Sequence, residues 1–211
     1  MMRKLLLAVL LLPAALVCAQ ALKPVALPAP QTSGGKPLMQ ALKERQSTRE
    51  YGPQKLSPQV LSNLLWAAWG INRPDGRRTA PSASNRQEID VYLITADGAY
   101  VYDAKANALN TVVEGDVRKA AATQANFNEA PLNLVYVADF TKLGTGDDNN
   151  KNANANVDTG FIAQNVYLFC ASEGLGAVTR GSADKAALSK ALNLGPNQRV
   201  ILAQTVGYLK K

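Results

Sequence analysis

A strand–turn–strand pattern near the middle of the chain is the feature that most restricts its fold. The segment "EIDVYLIT" alternates apolar and polar residues, the pair Asp97 and Gly98 follows, and "AYVYDA" resumes the strand pattern. An Asp-Gly turn typically joins two antiparallel neighbours, because its backbone twist matches that of a hairpin. The chain is therefore predicted to contain an antiparallel sheet, which argues against a doubly wound parallel fold.

Helical patterns lie on both sides of this hairpin in the sequence. They occur in "PLMQALKERQ", "PQVLSNLLWAAWG", "GDVRKAAATQ" and "DKAALSKAL", and over residues 157–173. The second has the clearest boundaries, with Ser57 as N-cap, Pro58 at the first helical position and Gly70 at its end. The last of them is apolar on most faces, which predicts a central or interfacial helix.

Three further strand patterns are "PLNLVYVADF", "GLGAVTRGS" and "RVILAQTVGY". With the hairpin they predict an α+β fold, in which a central, mostly antiparallel sheet of about five strands is flanked by helices. The polar, low-complexity residues 141–156 predict a mobile loop. The spacing of acidic residues in that loop does not match a calcium-binding loop, so no metal site is predicted.

The first residues have the composition of a secretory leader. A basic start at Arg3 and Lys4 precedes an apolar stretch, and small residues allow cleavage after Ala19 or Ala21. We predict that residues 1–21 are a signal peptide and that the protein is exported, with the periplasm as its expected location. A lipoprotein anchored through Cys18 is the alternative interpretation.

The remaining chain divides into an extended arm and one domain. Residues 22–36 are rich in Pro, Gly and Ala and predict an arm without a core pattern, and residues 37–211 predict a single domain. No apolar run after the leader is long enough to cross a membrane. Cys170 is the only cysteine outside the leader, which excludes an internal disulfide, and it is expected to be a buried small hydrophobe.

Charge and residue content narrow the possible functions. The formal charge falls from +7 to +5 without the leader, which holds two cations and no acid, and the basic residues are scattered. A nucleic-acid partner is therefore not expected, whereas a small anionic ligand fits local arginine clusters. The sequence has no histidine, which excludes Ser-His-Asp and Cys-His catalysis and most zinc hydrolases. Carboxylates, lysines or a cofactor must carry any chemistry.

The segment "RQSTREY" is the first candidate site. Arg45, Ser47 and Arg49 occupy alternate positions just after a predicted helix, so in an extended backbone their side chains point the same way. Guanidinium groups and a hydroxyl together suit the oxygens of a phosphate. A solvated surface segment is the alternative interpretation.

The segment "PSASN" is the second candidate site. It offers Ser82, Ser84 and Asn85 among small residues, which let the backbone approach a flat ligand closely, and asparagine can both donate and accept. A turn rich in serine and asparagine is the alternative. It lies in a long loop, and such loops in compact domains are disproportionately functional.

Six segments in sequence order resemble the nitroreductase family of FMN-dependent oxidoreductases: "RQSTREY", "LSNLLWAAWGINR", "RRTAPSASNRQ", "APLNLVYVAD", "AQNVYLFCASEGLGAVTRG" and "VGY". The resemblance implies the α+β nitroreductase fold and a homodimer with FMN at the subunit interface. By resemblance, the phosphate and ring edge of FMN are bound by Arg45, Gln46, Ser47 and Arg49, and FMN is reached from the partner subunit by Pro81, Ser82, Ala83 and Asn85. The resemblance also implies that backbone N–H groups at Arg180 and Gly181 lie near flavin N5. It implies that Gln124 faces the pyrimidine edge.

The resemblance also implies an activity. It is the reduction of a small, electron-poor acceptor, such as a nitroaromatic or a quinone, in a two-step flavin cycle that needs no catalytic side chain. The alternatives are a flavin dehydrogenase or oxidase of the azoline-oxidase type and a non-catalytic exported flavin-binding or ligand-binding protein. Two departures from the family pattern bear on these alternatives. The basic residues that follow "GY" in many relatives are reduced to Lys210 and Lys211, and export would separate the protein from soluble NAD(P)H.

Overall fold

The computed structural model describes residues 23–122, 124–181 and 183–210. Its strands are β1 (Val25–Ala26), β2 (Ile89–Ile94), β3 (Gly98–Asp103), β4 (Ala108–Glu114), β5 (Leu132–Asp139), β6 (Leu175–Arg180) and β7 (Gln198–Tyr208). Its helices are α1 (Leu38–Glu44), α2 (Pro58–Trp69), α3 (Arg118–Ala121), α4 (Ala125–Asn128), α5 (Asp148–Glu173) and α6 (Lys185–Ala191). The predicted signal peptide, including Cys18, lies outside the described residues.

One seven-stranded sheet organises the fold. Its strand order is β1-β4-β3-β2-β5-β7-β6, and each neighbouring pair is antiparallel. The predicted α+β class with a mostly antiparallel sheet is confirmed. The predicted number of about five strands is too low, because β1 and β4 were not recognised.

The two unrecognised strands extend the sheet beyond the predicted hairpin. β4 returns from β3 through a turn in which the Asp103 carboxylate accepts the N–H groups of Lys105 and Ala106 at 2.9 and 3.0 Å. Asn107 completes this turn in a left-handed conformation, with φ of 47°. β1 has only two residues and pairs with β4, so residues of the predicted arm form the edge of the sheet.

Helix α2 forms as predicted. The Ser57 side chain accepts the Val60 N–H at 3.3 Å, Pro58 occupies the first turn, and the helix ends at Gly70. The helix predicted over residues 115–124 is shorter than expected, because among the described residues of this range only the four of α3 are helical, and the four-residue α4 follows.

Helix α5 begins at Asp148, within the predicted mobile loop. That prediction is wrong for residues 148–156, which form the first turns of the helix. The Asp147 side chain accepts the Asn150 N–H at 2.8 Å and caps the helix. The negative charge of Asp148 in the first turn interacts favourably with the positive end of the helix dipole. Once nucleated, a helix extends readily through polar residues interspersed with alanine.

Helices pack on both faces of the sheet. Alternate residues of β2 and β5 point to opposite faces, as the strand geometry requires. Val91, Leu93, Leu134 and Tyr136 pack in the core formed with α2 and α5, and Tyr92, Ile94, Val135 and Val137 pack with Leu188 and Leu192 on the α6 side. Cys170 is buried and free, as predicted. Within the described ranges, none of the helices has both the length and the apolar character that a membrane crossing requires.

Candidate functional site

The arginine segment, residues 45–49, runs in an extended conformation from α1 along β6, the edge strand of the sheet. Ser47 forms a parallel bridge with Ala177 of β6, and the Thr48 N–H donates to the Ala177 carbonyl at 2.9 Å. The segment is therefore fixed to β6 by its backbone. Arg45 is half-buried, whereas Gln46, Ser47 and Arg49 are exposed.

Tyr167 of α5 fixes the side chains at this end of the sheet. Its hydroxyl lies 3.1 Å from Ser47 Oγ and 3.3 Å from Thr179 Oγ1, and it accepts the Thr179 N–H at 2.8 Å. The Arg45 guanidinium lies 5.5 Å from the centre of its ring, within cation–π range. Burial alone would raise the pKa of Tyr167, but these hydrogen bonds lower it below the ordinary tyrosine value.

Three cations line a cavity of about 410 Å³ beside Tyr167. They are Lys36, Lys43 and Arg45, with Gln46 and Thr48 as further polar lining residues. One carboxylate faces them: Glu44, which pairs with Lys36 at 2.6 Å. The cavity therefore has an excess of positive charge and suits a polyvalent anion.

Residues of the loop around α4 approach the arginine segment from the other side. Gln124 is exposed, and its carbonyl accepts the Phe127 and Asn128 N–H groups at 3.0 and 3.1 Å. Asn126 Nδ2 donates to the Arg49 carbonyl at 3.0 Å. The predicted residues Gln124 and Arg49 thus belong to neighbouring segments.

The Arg180 side chain turns into the protein, so only the backbone of this residue is available to a ligand. Its guanidinium donates to Thr205 Oγ1 at 3.0 Å, to the Ala121 carbonyl at 2.9 Å and to Asn133 Oδ1 at 2.9 Å. It also lies 4.8 Å from the centre of the Phe127 ring. Gly181, which follows it, is exposed, and a Cβ atom there would meet open space.

The asparagine segment, residues 81–85, lies elsewhere in the subunit. The Ala83 N–H donates to Asp158 Oδ2 at 2.8 Å, which ties the segment to α5. Ser82 Oγ accepts the Gln87 N–H at 3.0 Å, and Asn85 Oδ1 accepts from Gln87 Nε2 at 3.0 Å. Pro81 and Asn85 are exposed.

Helix geometry separates the two candidate segments. Asp158, which holds the asparagine segment, and Tyr167, which holds the arginine segment, are nine residues apart on α5. Nine residues make two and a half helical turns, so these side chains leave opposite sides of the helix, about 14 Å apart along its axis. The structure therefore brings together the arginine segment, Gln124 and the end of β6, but not the asparagine segment of the same subunit.

Several residues of this region were not predicted from the sequence. The arginine segment is contacted or surrounded by Tyr167, Lys36 and Lys43. Their sequence context did not mark them, because Tyr167 lies within an apolar helix and Lys36 belongs to the predicted arm. A larger cavity of about 500 Å³ lies between residues 31–36, α2 and α5, and none of the predicted site residues lines it.

A family model described as the nitroreductase family matches residues 42–208. The chain is 29% identical over 155 residues to a provisionally named nitroreductase of Methanocaldococcus jannaschii, covering 69% of this chain and 78% of that protein. It is 36% identical to a provisionally named nitroreductase from Ralstonia eutropha JMP134, whose crystal structure superposes with a TM-score of 0.85 over 97% of both chains.

A provisionally named nitroreductase from Desulfovibrio desulfuricans, crystallised in complex with FMN, shares the fold. It has a TM-score of 0.61 and 22% identity, covering 84% of this chain and 89% of that chain. The family match begins in the last turn of α1 and includes the whole of α2 and α5 and strands β2 to β7. The chain therefore belongs to the nitroreductase family, a family of oxidoreductases.

Proposed function

We propose that this protein is an FMN-dependent oxidoreductase that acts as a homodimer and reduces a small, electron-poor acceptor such as a nitroaromatic or a quinone. One observation carries the proposal. The arginine segment, the cationic cavity and the open backbone at Gly181 lie along strand β6, at one edge of the sheet. When bound there, FMN would supply the two-electron chemistry, which agrees with a sequence that has no histidine.

The cationic cavity fits the phosphate of FMN. Arg45 and Lys43 line it without an ion pair to any of the described residues, whereas Lys36 is neutralised in part by Glu44. A phosphate monoester carries close to two negative charges at neutral pH, so two uncompensated cations match it.

The other residues of the arginine segment suit the ring edge of FMN. Arg49 is exposed beside the segment that contains Gln124, and a fixed cation near the pyrimidine edge favours the more negative, reduced state of a flavin. Tyr167 holds Ser47 and Thr179 in place. Gly181 at the end of β6 is exposed, with open space where a Cβ atom would lie, which suits a flat ligand.

The homodimer is supported by the separation of the two candidate segments. A site that needs both the arginine segment and the asparagine segment requires two copies of the chain, since α5 directs them to opposite sides. Exposed apolar side chains on α1 and α5 offer surfaces for the second copy, namely Leu38, Met39, Leu42, Val157 and Phe161. Clusters of this kind mark interaction surfaces.

An absorbance spectrum tests the cofactor directly. The purified protein should be yellow, release FMN on denaturation and lose its colour when a reductant is added. A colourless protein that binds no added FMN contradicts the proposal.

Two variants test the phosphate site. Arg45→Ala should weaken FMN binding by about 1.5–3 kcal/mol, roughly tenfold or more in Kd, because a hydrogen bond between two charged groups is lost. Lys43→Ala should weaken it by a smaller factor. Arg77→Ala is the matched control, since Arg77 forms an exposed pair with Asp75 in another loop. Equal affinities in all three variants would exclude the cavity as the phosphate site.

Export is part of the proposal, because the first residues have the composition of a leader. An exported enzyme would take its electrons from a donor other than the cytoplasmic NAD(P)H pool. Expression of the full chain followed by N-terminal sequencing should yield a mature protein that begins at Gln20 or Leu22. A protein that retains Met1 or Met2 and stays with the cytoplasmic fraction would contradict export.

A further inference from the structure

Two buried carboxyl groups adjoin the asparagine segment, one of them through a hydrogen bond and the other through its place in the chain. Glu88 stands between this segment and β2, and its side chain is 0% exposed. Asp158 on α5 is 2% exposed, and its Oδ2 accepts the Ala83 N–H. Carboxyl groups are rarely buried in full without a partner, so this pair requires an explanation.

The hydrogen bonds around the pair are incomplete. Neither Oε atom of Glu88 has a hydrogen-bond partner among residues 23–122, 124–181 and 183–210, and the buried Thr159 Oγ1 next to Asp158 has none either. In the same ranges, no lysine or arginine lies within ion-pair distance of Glu88 or Asp158. Most buried polar groups in folded proteins are hydrogen-bonded.

The charged groups nearest to the pair have other partners. Lys142 approaches Asp90 at 3.7 Å, and its charge lowers the pKa of Glu88 only in part. The Arg86 guanidinium donates to the Leu143 carbonyl. Two ionised carboxylates would therefore face each other in a buried site without a compensating cation, which is highly unfavourable.

Protonation of one carboxyl group removes this conflict. Burial, followed by contact with Asp158, raises the pKa of Glu88 to about 7. A protonated Glu88 has one O–H group to donate, and the Asp158 carboxyl group has oxygens that can accept it in addition to the Ala83 N–H. Below neutral pH the pair thus carries one negative charge and one shared proton.

The backbone of residues 84–87 has a conformation that must be held in place by contacts with the rest of the protein. Ser84, Asn85 and Gln87 all have left-handed conformations, with φ of 53°, 54° and 48°. Residues other than glycine adopt this conformation at a cost, so it persists only where the surroundings hold it. The contact of Asp158 with Ala83 is the one that fixes these residues to α5.

We propose that Glu88 and Asp158 are positioning residues: through one shared proton they hold the asparagine segment in the conformation that this segment presents to FMN in the partner subunit. The inference rests on the proposed function, since it assigns the asparagine segment to FMN. It adds two residues that do not touch the cofactor themselves and makes retention of FMN depend on pH.

The direction and size of the pH effect follow from the protonation of Glu88. Ionised Glu88 repels Asp158 and releases the segment, so affinity for FMN falls as the pH rises through 7. With a pKa of about 7, the protonated fraction falls about tenfold between pH 6 and pH 8. The apparent Kd rises by the same factor if only the protonated form holds the segment in place.

The test compares FMN release from three proteins at pH 6 and pH 8. The FMN-loaded wild type, Glu88→Gln and Glu114→Gln are diluted, and the fluorescence of released FMN gives Kd. The wild-type Kd should rise about tenfold more than that of Glu88→Gln, because glutamine donates to Asp158 at both values. Glu114→Gln should behave as the wild type, since Glu114 is an exposed acid at the end of β4. Titration of the FMN phosphate is common to all three proteins.

Hydrogen exchange gives a second measurement that needs no variant. Protection of the wild-type residues 81–87, corrected for the intrinsic effect of pH, should fall by a similar factor between pH 6 and pH 8. If Glu88→Gln shows the wild-type change in Kd, or if protection does not change, the pair does not position the segment. If the wild type retains no FMN at either pH, the proposed function and this inference are both overturned.

Discussion

Replacing Arg180 by methionine tests whether its guanidinium is part of the core, as the structure has it. The side chain is 7% exposed and donates three hydrogen bonds of 2.9 to 3.0 Å. Burial lowers its pKa. Arg180→Met keeps most of the apolar stem and removes all of these donors, so it isolates the polar contribution.

The magnitude follows from the partners that remain. Asn133 Oδ1 keeps a second donor, Thr205 Oγ1 at 2.7 Å, whereas the Ala121 carbonyl loses the Arg180 donor, a loss of about 1–3 kcal/mol. The contact with the Phe127 ring, at 4.8 Å, is worth about 1–2 kcal/mol in a buried setting. Relief from burying a charge offsets part of this, and we expect a net loss of about 3 kcal/mol in the free energy of unfolding.

Urea denaturation of the FMN-free protein, followed by circular dichroism, measures this loss. Arg199→Met is the control, because Arg199 forms an exposed pair with Asp148 and such pairs contribute little. Arg45→Ala should show the opposite pattern, with near-normal stability and weaker FMN binding. An Arg180→Met protein of wild-type stability whose FMN affinity falls as far as that of Arg45→Ala would refute the placement of the guanidinium in the core.

Four further predictions concern stability and the site. The pKa of Glu88 lies at about 7 in the folded protein against 4.5 for an ordinary glutamate, so between these values the folded state holds a proton that the unfolded chain releases. The free energy of unfolding of the wild type should therefore fall by about 3 kcal/mol from pH 4.5 to 7, and that of Glu88→Gln should not. Urea denaturation at several pH values measures both. Tyr136→Phe should lower the free energy of unfolding by about 1–2 kcal/mol, measured by thermal unfolding, because the buried Tyr136 hydroxyl donates to Gln204 at 2.5 Å. An unchanged free energy would mean that a water molecule replaces the hydroxyl as the donor to Gln204. Ser57→Ala should cost about 1 kcal/mol through the cap of α2, and Ser57→Gly distinctly less. Tyr167→Phe should keep its fold by circular dichroism but weaken FMN binding severalfold, since it no longer orients the arginine segment; unchanged affinity would assign the tyrosine to packing alone.

The elements that the sequence predicted well are those whose local signals agree with their surroundings. Helix α2 has a cap, a proline in its first turn and apolar residues at helical spacing, and β2 and β3 are joined by an Asp-Gly turn. Residues 148–156 were assigned to a loop because their composition is polar. Their helix depends on the Asp147 cap and on propagation from the apolar half of α5, and a composition-based prediction includes neither effect.

The candidate site was predictable only in part, for a similar reason. Residues proposed to bind a ligand through their polar groups, such as Arg45 and Ser47, belong to a motif that can be found in the sequence. Tyr167 contacts Ser47 from within the fold, and the proposed role of Glu88 concerns the asparagine segment; the partners of both residues come from distant parts of the chain. The direction of the Arg180 side chain likewise depends on Asn133 and on Thr205, which the sequence places far away.

The arrangement on α5 links the fold to the proposed assembly. The helix separates the two candidate segments by half a turn and about 14 Å within one subunit, so no movement of side chains alone can join them. Each subunit instead offers one arginine segment and one asparagine segment, and a symmetric pair of copies can form two complete sites. A variant that remains folded but monomeric would keep every intramolecular contact of both segments and still lack a complete site. If the proposed dimer forms, we therefore expect it to lose FMN when its subunits dissociate, because of the geometry of α5 and independently of the strength of any single contact to the cofactor.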